Sequence, residues 1–241
     1  MNKIKKLKPS NNEVHILVNK VFLMIEGFVD SKEIPKIGIQ KIFNEFPDVD
    51  EAKPRINKFP RLRFNLSSDE VLALKRDGFL DEKNRLSSKL ASQESLSPME
   101  KLLYSVLWKQ GDLGKERHIV SGILGVENSD QGLVFNYFGK HLENKVSPII
   151  DQHVIRAFRV KCAVFTDKEV KRIRSKDLAI GKKDANEKII VIEKYLEWHK
   201  SQREKYPDHM RDDFTYYLDL LLFGLGKYIK LTSGKSSEGG V

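Results

Sequence analysis

The sequence predicts an all-α protein built as two helical lobes with a central cleft. Three observations point there. Apolar residues recur at helical spacing in one segment after another, period-two alternation is scarce, and capping residues stand at the heads of the apolar runs. A chain of 241 residues, 40% hydrophobic and 32% charged, is long enough to bury a core, as one large domain or two small lobes.

In the N-terminal part, VHILVNKVFLMIEGF (Val14 to Phe28) is apolar on most sides and reads as a mostly buried helix that Gly27 and Asp30 help to end. KIGIQKIFNEF gives a shorter amphipathic helix. Pro47, Pro54 and Pro60 then break the chain into a loop carrying Arg55, Lys58, Arg61 and Arg63, a solvated surface or a set of phosphate contacts. Ser67 or Ser68 caps DEVLALKRDGF, which Gly78 closes. The polar stretch SSKLASQES reads as a connector, so an N-terminal lobe over residues 1–90 is expected before a second over 91–232. The tail 233–241 has the composition of a disordered segment.

The second lobe opens on SPMEKLLYSVLWKQG. Ser97 takes the cap position, Pro98 the first helical position, Glu100 completes a capping box, and Gly111 ends the helix. After the charged loop GDLGKERH comes a short apolar helix in HIVSGILGV, then a turn, a cap at Asn128 or Ser129, and a helix to about Leu142. Two short helices around a Gly-containing turn make a helix-hairpin-helix candidate. VSPIID runs extended because a residue before proline avoids helical geometry, and QHVIRAFRV resumes a helix. Beyond it, DKEVKRIRSKDL reads as a basic turn, ANEKIIVIEKYLEWHKSQREKY as a long amphipathic helix and RDDFTYYLDLLLFGLGKYIKL as the last helix.

The formal charge of +9 favours a polyanionic partner. A single cysteine, Cys162, excludes an internal disulfide and a Cys-rich zinc site; its VKCAVF setting predicts an interior thiol, and the cytoplasm is the expected compartment. No apolar run approaches the ~20 residues that span a bilayer, and MNKIKKLKPSNN does not lead into a signal-peptide pattern, so a soluble protein away from membranes is expected. Six histidines lie scattered without ligand spacing and no Gly-rich phosphate loop appears, so neither metal nor cofactor is expected.

Several residues stand out for chemistry. Asp151, between an extended stretch and a helix, reads either as an N-cap or as a carboxylate that steadies a developing cation; the two roles are compatible. His153 could orient it, meet a phosphate, or lie on the helix surface. Lys115, Arg117 and His118 form a compact cationic loop, a phosphate site or a solvated turn. Phe135, Tyr137 and Phe138 offer a stacking wall for a flipped base, or core. Asp219, inside an intensely apolar helix, needs a partner, for which an Arg or Lys ion pair is expected, and Tyr216 and Tyr217 share that helix.

Three motifs occur in a telling order: Phe138-Gly139-Lys140-His141-Leu142, then Pro148-Ile149-Ile150-Asp151 with His153-Val154 close behind, then Asp219 with Gly226-Lys227. In this the stretch from Ser97 to Lys230 resembles the helix-hairpin-helix DNA glycosylase superfamily, and within it the bacterial proteins with an 8-oxoguanine DNA glycosylase-like fold. The resemblance implies that Asp151 is catalytic and that the hairpin, through Gly125 and Ser129, holds a phosphate of double-stranded DNA. Lys115, Arg117, His118, Lys140, His153, Arg55, Lys58 and Arg61 are the accompanying backbone contacts, and Phe135, Phe138, Tyr216 and Tyr217 the candidates for the base pocket. The hairpin departs from the family pattern. LGVENSDQG keeps Gly125 but lacks the second glycine, and Glu127 and Asp130 would repel a phosphate. Where strand-cutting members carry a Schiff-base lysine, Ser129 to Asn136 contains none. The expected activity is therefore monofunctional excision of a modified base, with anti-phage defence as one setting. An inactive nucleic-acid-binding or protein-interaction module of the same fold is the alternative.

Overall fold

A computed structural model describes residues 9–54, 61–87, 90, 96–110, 114–126, 132–163, 166–175 and 185–232. The protein is all-α, with no strand among the described residues beyond an isolated antiparallel bridge between Leu80 and Leu86. No helix among them is long and apolar enough to cross a membrane. The chain divides into two compact units, one drawn from Met1–Arg61 and Ile150–Val241, the other from Leu62–Ile149. The division expected at residue 90 falls inside the second unit; its connector lies mostly, and the tail 233–241 wholly, outside the described residues.

In the first unit, α1 (Asn11–Asp30) opens on a reciprocal cap that the sequence reading passed over. The Glu13 amide donates to Ser10 Oγ and the Ser10 amide to the Glu13 carboxylate at 2.6 Å. Val14, Val18, Val21, Phe22 and Ile25, spaced by three and four, form its buried stripe. Gly27 lies within the helix rather than ending it; the chain turns at Ser31 and Lys32. α2 (Pro35–Glu45) runs into α3 (Pro47–Ala52), where a proline-broken loop was expected. A proline at the first helical position surrenders no helical hydrogen bond, so Pro47 starts a turn of helix instead of preventing one.

The stretch read as a basic turn is also helical, as α9 (Asp167–Ser175). Thr166 Oγ1 accepts from the Glu169 amide, and Val170 and Ile173 are buried at a spacing of three, so tertiary burial outweighs the charge that made the segment look like a loop. α8 (Gln152–Cys162), α10 (Ala185–Arg203) and α11 (Asp208–Leu231) complete the unit.

α11 is its axis, with α2, α3 and α8 packed on it. Phe214, Leu218, Leu221, Leu222, Leu225 and Ile229 along it are all fully buried, each contributing on the order of 1.5–3 kcal/mol. Close approach depends on glycine: a Cβ at Gly226 would sit 1.9 Å from the His153 carbonyl oxygen, so α8 and α11 meet backbone to backbone. Phe22, Phe158, Tyr195 and Trp198 form an aromatic cluster with ring centroids 5.0 to 6.2 Å apart. Cys162, expected inside, is exposed at the end of α8.

The second unit holds α4 (Ser68–Arg76), α5 (Pro98–Gln110), α6 (Glu116–Ile123) and α7 (Leu133–Glu143). Reciprocal caps start α4 at Ser67 with Glu70 and α5 at Ser97 with Glu100. Gly78, at φ 79°, turns the chain after α4 in a conformation that favours glycine. Val71, Leu80, Val120, Ile123 and Leu142 are its core, with Phe138 packed against them. α6 and α7 cross through small residues. A Cβ at Gly122 would lie 1.9 Å from the Asn136 carbonyl oxygen and one at Gly139 2.0 Å from that of Ile119, so residue numbers rise in α6 as they fall in α7 and the two form an antiparallel hairpin. α7 begins one residue after Gly132, and the caps expected at Asn128 or Ser129 lie outside the described residues.

Candidate functional site

Asp151 stands at the N-cap of α8 in extended geometry, φ −126° and ψ 176°. Its Oδ1 accepts from the amides of His153 at 2.7 Å and Val154 at 2.8 Å. Both bonds fall on one oxygen, and Oδ2 takes no part in the cap. Burial raises the pKa of the carboxyl; the two amides and the Arg156 guanidinium oppose that rise.

His153 is half-buried, its ring edge-on to Phe223 with centroids 4.7 Å apart. Its Nδ1 lies 3.0 Å from Arg156 Nη1. An arginine only donates, so Nδ1 accepts and the neutral ring carries its proton on Nε2. Burial, then the positive charge of Arg156, holds the pKa of His153 down to about 4, against the pull of the Gly226 carbonyl. It is not the idle surface histidine that its helical position allowed.

Arg156 is 0% exposed, and its guanidinium also reaches the Gly226 carbonyl at 3.5 Å. Sequence reasoning missed it, although an arginine among apolar residues, three after His153, was a signal in plain view. On the facing helix, Asp219 lies beside the Tyr195 hydroxyl. Tyr195 is fully buried, and its pKa is driven well above the ordinary tyrosine value by that burial first and then by the negative charges of Asp219 and Asp151. α8, α10 and α11 thus deliver Asp151, Tyr195 and Asp219 into one neighbourhood. Two of the three motifs picked out in the sequence meet here, because Gly226 lets α11 touch the backbone at His153.

The other candidates of this unit lie elsewhere on it. Arg61 Nη1 pairs with Asp213 at 2.5 Å, and the guanidinium sits 4.9 Å over the ring of Tyr216, which is edge-on to Tyr217. The expected basic loop is thus tied to α11 at Arg61, and Arg55 and Lys58 lie outside the described residues.

In the second unit, Lys115, Arg117, His118 and Phe135 line a single cavity of about 560 Å³, together with Arg85 and Tyr104. The cationic loop and one aromatic residue of the expected stacking wall therefore share a site. Lys115 Nζ lies 5.5 Å from the Phe135 ring centroid. Arg117 donates from Nε to His118 Nε2 at 3.3 Å, and burial, then Arg117, lowers the pKa of His118. Glu116, the acid of the lining, takes the Leu86 amide on Oε1 at 3.2 Å and the Gly114 amide on Oε2. Arg85 and Tyr104 carried no local signal, since the fold brings them to Lys115 from separate stretches of chain.

Phe138 does not join Phe135: it packs into the core and stacks on His141 with centroids 6.5 Å apart. Lys140 lies over the Tyr137 ring at 4.7 Å. Gly125 is exposed at φ 68° and closes α6, while Asn136 Nδ2 donates to the Val126 carbonyl at 2.9 Å and ties the turn to α7. Ser129, with Glu127 and Asp130, lies outside the described residues. The chain matches no family model, no curated protein and no solved structure.

Proposed function

We propose that this protein is a monofunctional DNA N-glycosylase that removes a modified base with Asp151. The observation that carries the reading is the way that side chain is held: two amides fix Oδ1, and Oδ2 lies outside the cap. Breaking an N-glycosidic bond builds positive charge on the sugar, and a carboxylate fixed beside it lowers the barrier while water adds to the anomeric carbon. Burial raises the pKa of Asp151, and the Val154 and His153 amides and the Arg156 guanidinium act against that rise, towards the ionised form that this requires. The α6–α7 hairpin, reduced to Gly125 at its turn, would take a DNA phosphate, and the two-lobed glycosylase plan is part of the same proposal.

Asp151→Asn tests it. Asparagine keeps an oxygen for the His153 and Val154 amides, so the fold and DNA affinity should persist while release of modified bases from duplex DNA, read on gels after alkali, falls by at least ~10²-fold. Undiminished release from the variant would sink the assignment. The second reading, a module that grips nucleic acid without catalysis, is favoured by the missing second glycine of the hairpin. It predicts DNA binding with a steep salt dependence and no base release from the wild-type protein.

A further inference from the structure

We propose that the cavity of the second unit is a binding site for a phosphorylated nucleoside, with the phosphate held by Arg85, Lys115 and Arg117 and the base set against Tyr104 and Phe135. Among the described residues of the lining, three are permanent cations and one is a carboxylate. That carboxylate, Glu116, is fixed in place by the Leu86 and Gly114 amides, one on each oxygen. His118 adds no charge at neutral pH: burial and Arg117 lower its pKa, and Arg117 donates to Nε2, so the neutral ring carries its proton on Nδ1.

The charges do not stand alone, as they would in a solvated basic patch. The Lys115 ammonium lies over the face of Phe135, so the cationic and flat apolar parts of the lining adjoin. A ligand that satisfies both carries a compact dianion and a planar ring system on one small frame, which is the chemistry of a nucleotide. A volume of about 560 Å³ falls in the range of small-molecule sites and suits one such unit. Its source is a free nucleoside monophosphate or one nucleotide of a single strand, and the lining is the same for both. The site is independent of Asp151 and holds whether or not that residue breaks a bond.

The test titrates the full chain, by calorimetry in low salt, with a set of nucleoside 5′-monophosphates, the parent nucleosides, inorganic phosphate and a short single-stranded oligonucleotide. A monophosphate should bind at least about tenfold more tightly than its nucleoside or phosphate alone, because only it fills both halves of the site. If the source is a strand, the oligonucleotide binds more tightly than the monophosphate and competes with it. Arg85→Gln and Lys115→Gln, both at exposed positions, should each weaken the preferred ligand by about tenfold, and Phe135→Leu should do so for the monophosphate but not for phosphate. The proposal is overturned if phosphate binds as tightly as every nucleotide probe, if no probe binds, or if binding is indifferent to both glutamine variants. Base release does not enter the measurement, so its outcome is separate from that of the glycosylase reading.

Discussion

Gly226→Ala should unfold the first unit more easily than any other single methyl group added to α11. The new Cβ would lie 1.9 Å from the His153 carbonyl oxygen, where ordinary contact begins at 3.4 Å, so α8 and α11 would have to part by roughly 1.5 Å at that point. The obstacle is backbone, which cannot swing aside as a side chain would. Separation there also pulls at the His153–Phe223 contact and at the bond from Arg156 to the Gly226 carbonyl. Overpacking of this kind costs about 1–3 kcal/mol, and a rigid obstacle on each side puts this case at the upper end. Gly27→Ala is the control: the residue is exposed in α1 with nothing within 4 Å of its Cβ position, so helix propensity alone predicts a gain of about 0.5–1 kcal/mol. Urea denaturation of the full chain, followed by circular dichroism, reads both. A Gly226→Ala protein with an unchanged midpoint, or a Gly27→Ala protein destabilised as much, would refute the argument from close approach.

The two remaining expectations concern pH and reaction type. His199 is 2% exposed and its pKa is lowered by burial, then by Arg203, to about 3, below the value near 6.5 of the unfolded chain. The unfolded state therefore takes up a proton first, and stability present above pH 6.5 is lost as pH falls toward 3, at up to ~1.4 kcal/mol per pH unit from this group. His199→Gln should flatten the decline of melting temperature between pH 6.5 and 5, and an unaltered slope would remove His199 from the account. For reaction type, Lys140 is drawn onto the Tyr137 ring two turns into α7, and no lysine precedes it on that helix. Incubation with DNA and borohydride should trap no covalent adduct, and an adduct abolished by Lys140→Ala or Lys115→Ala would show that an amine does attack the sugar.

The helices themselves were largely legible in the chain, because capping and apolar periodicity act over three or four residues. Ser97 with Glu100, Ser67 with Glu70, and the extended run into Asp151 are local chemistry, and the structure has them at those positions. Local rules failed where a longer-range term outweighed them. Pro47 starts α3, and the charge-rich α9 is held helical by two buried apolar side chains, Val170 and Ile173, that composition hides.

What no local pattern could decide is which side chains share a site. Asp151 and Asp219 lie far apart in sequence, and the packing of α8, α10 and α11, with the close approach at Gly226 as one part of it, sets them beside Tyr195. Lys115 and Phe135 were visible as a cation and an aromatic, yet their common cavity with Arg85 and Tyr104 depends on stretches of chain that converge only in the fold. Helical class and caps follow from neighbours along the chain, and the positive charge from composition alone. The burial of Arg156, the neutral state of His153 and the membership of each site come from the packing of remote segments, which removes these groups from water.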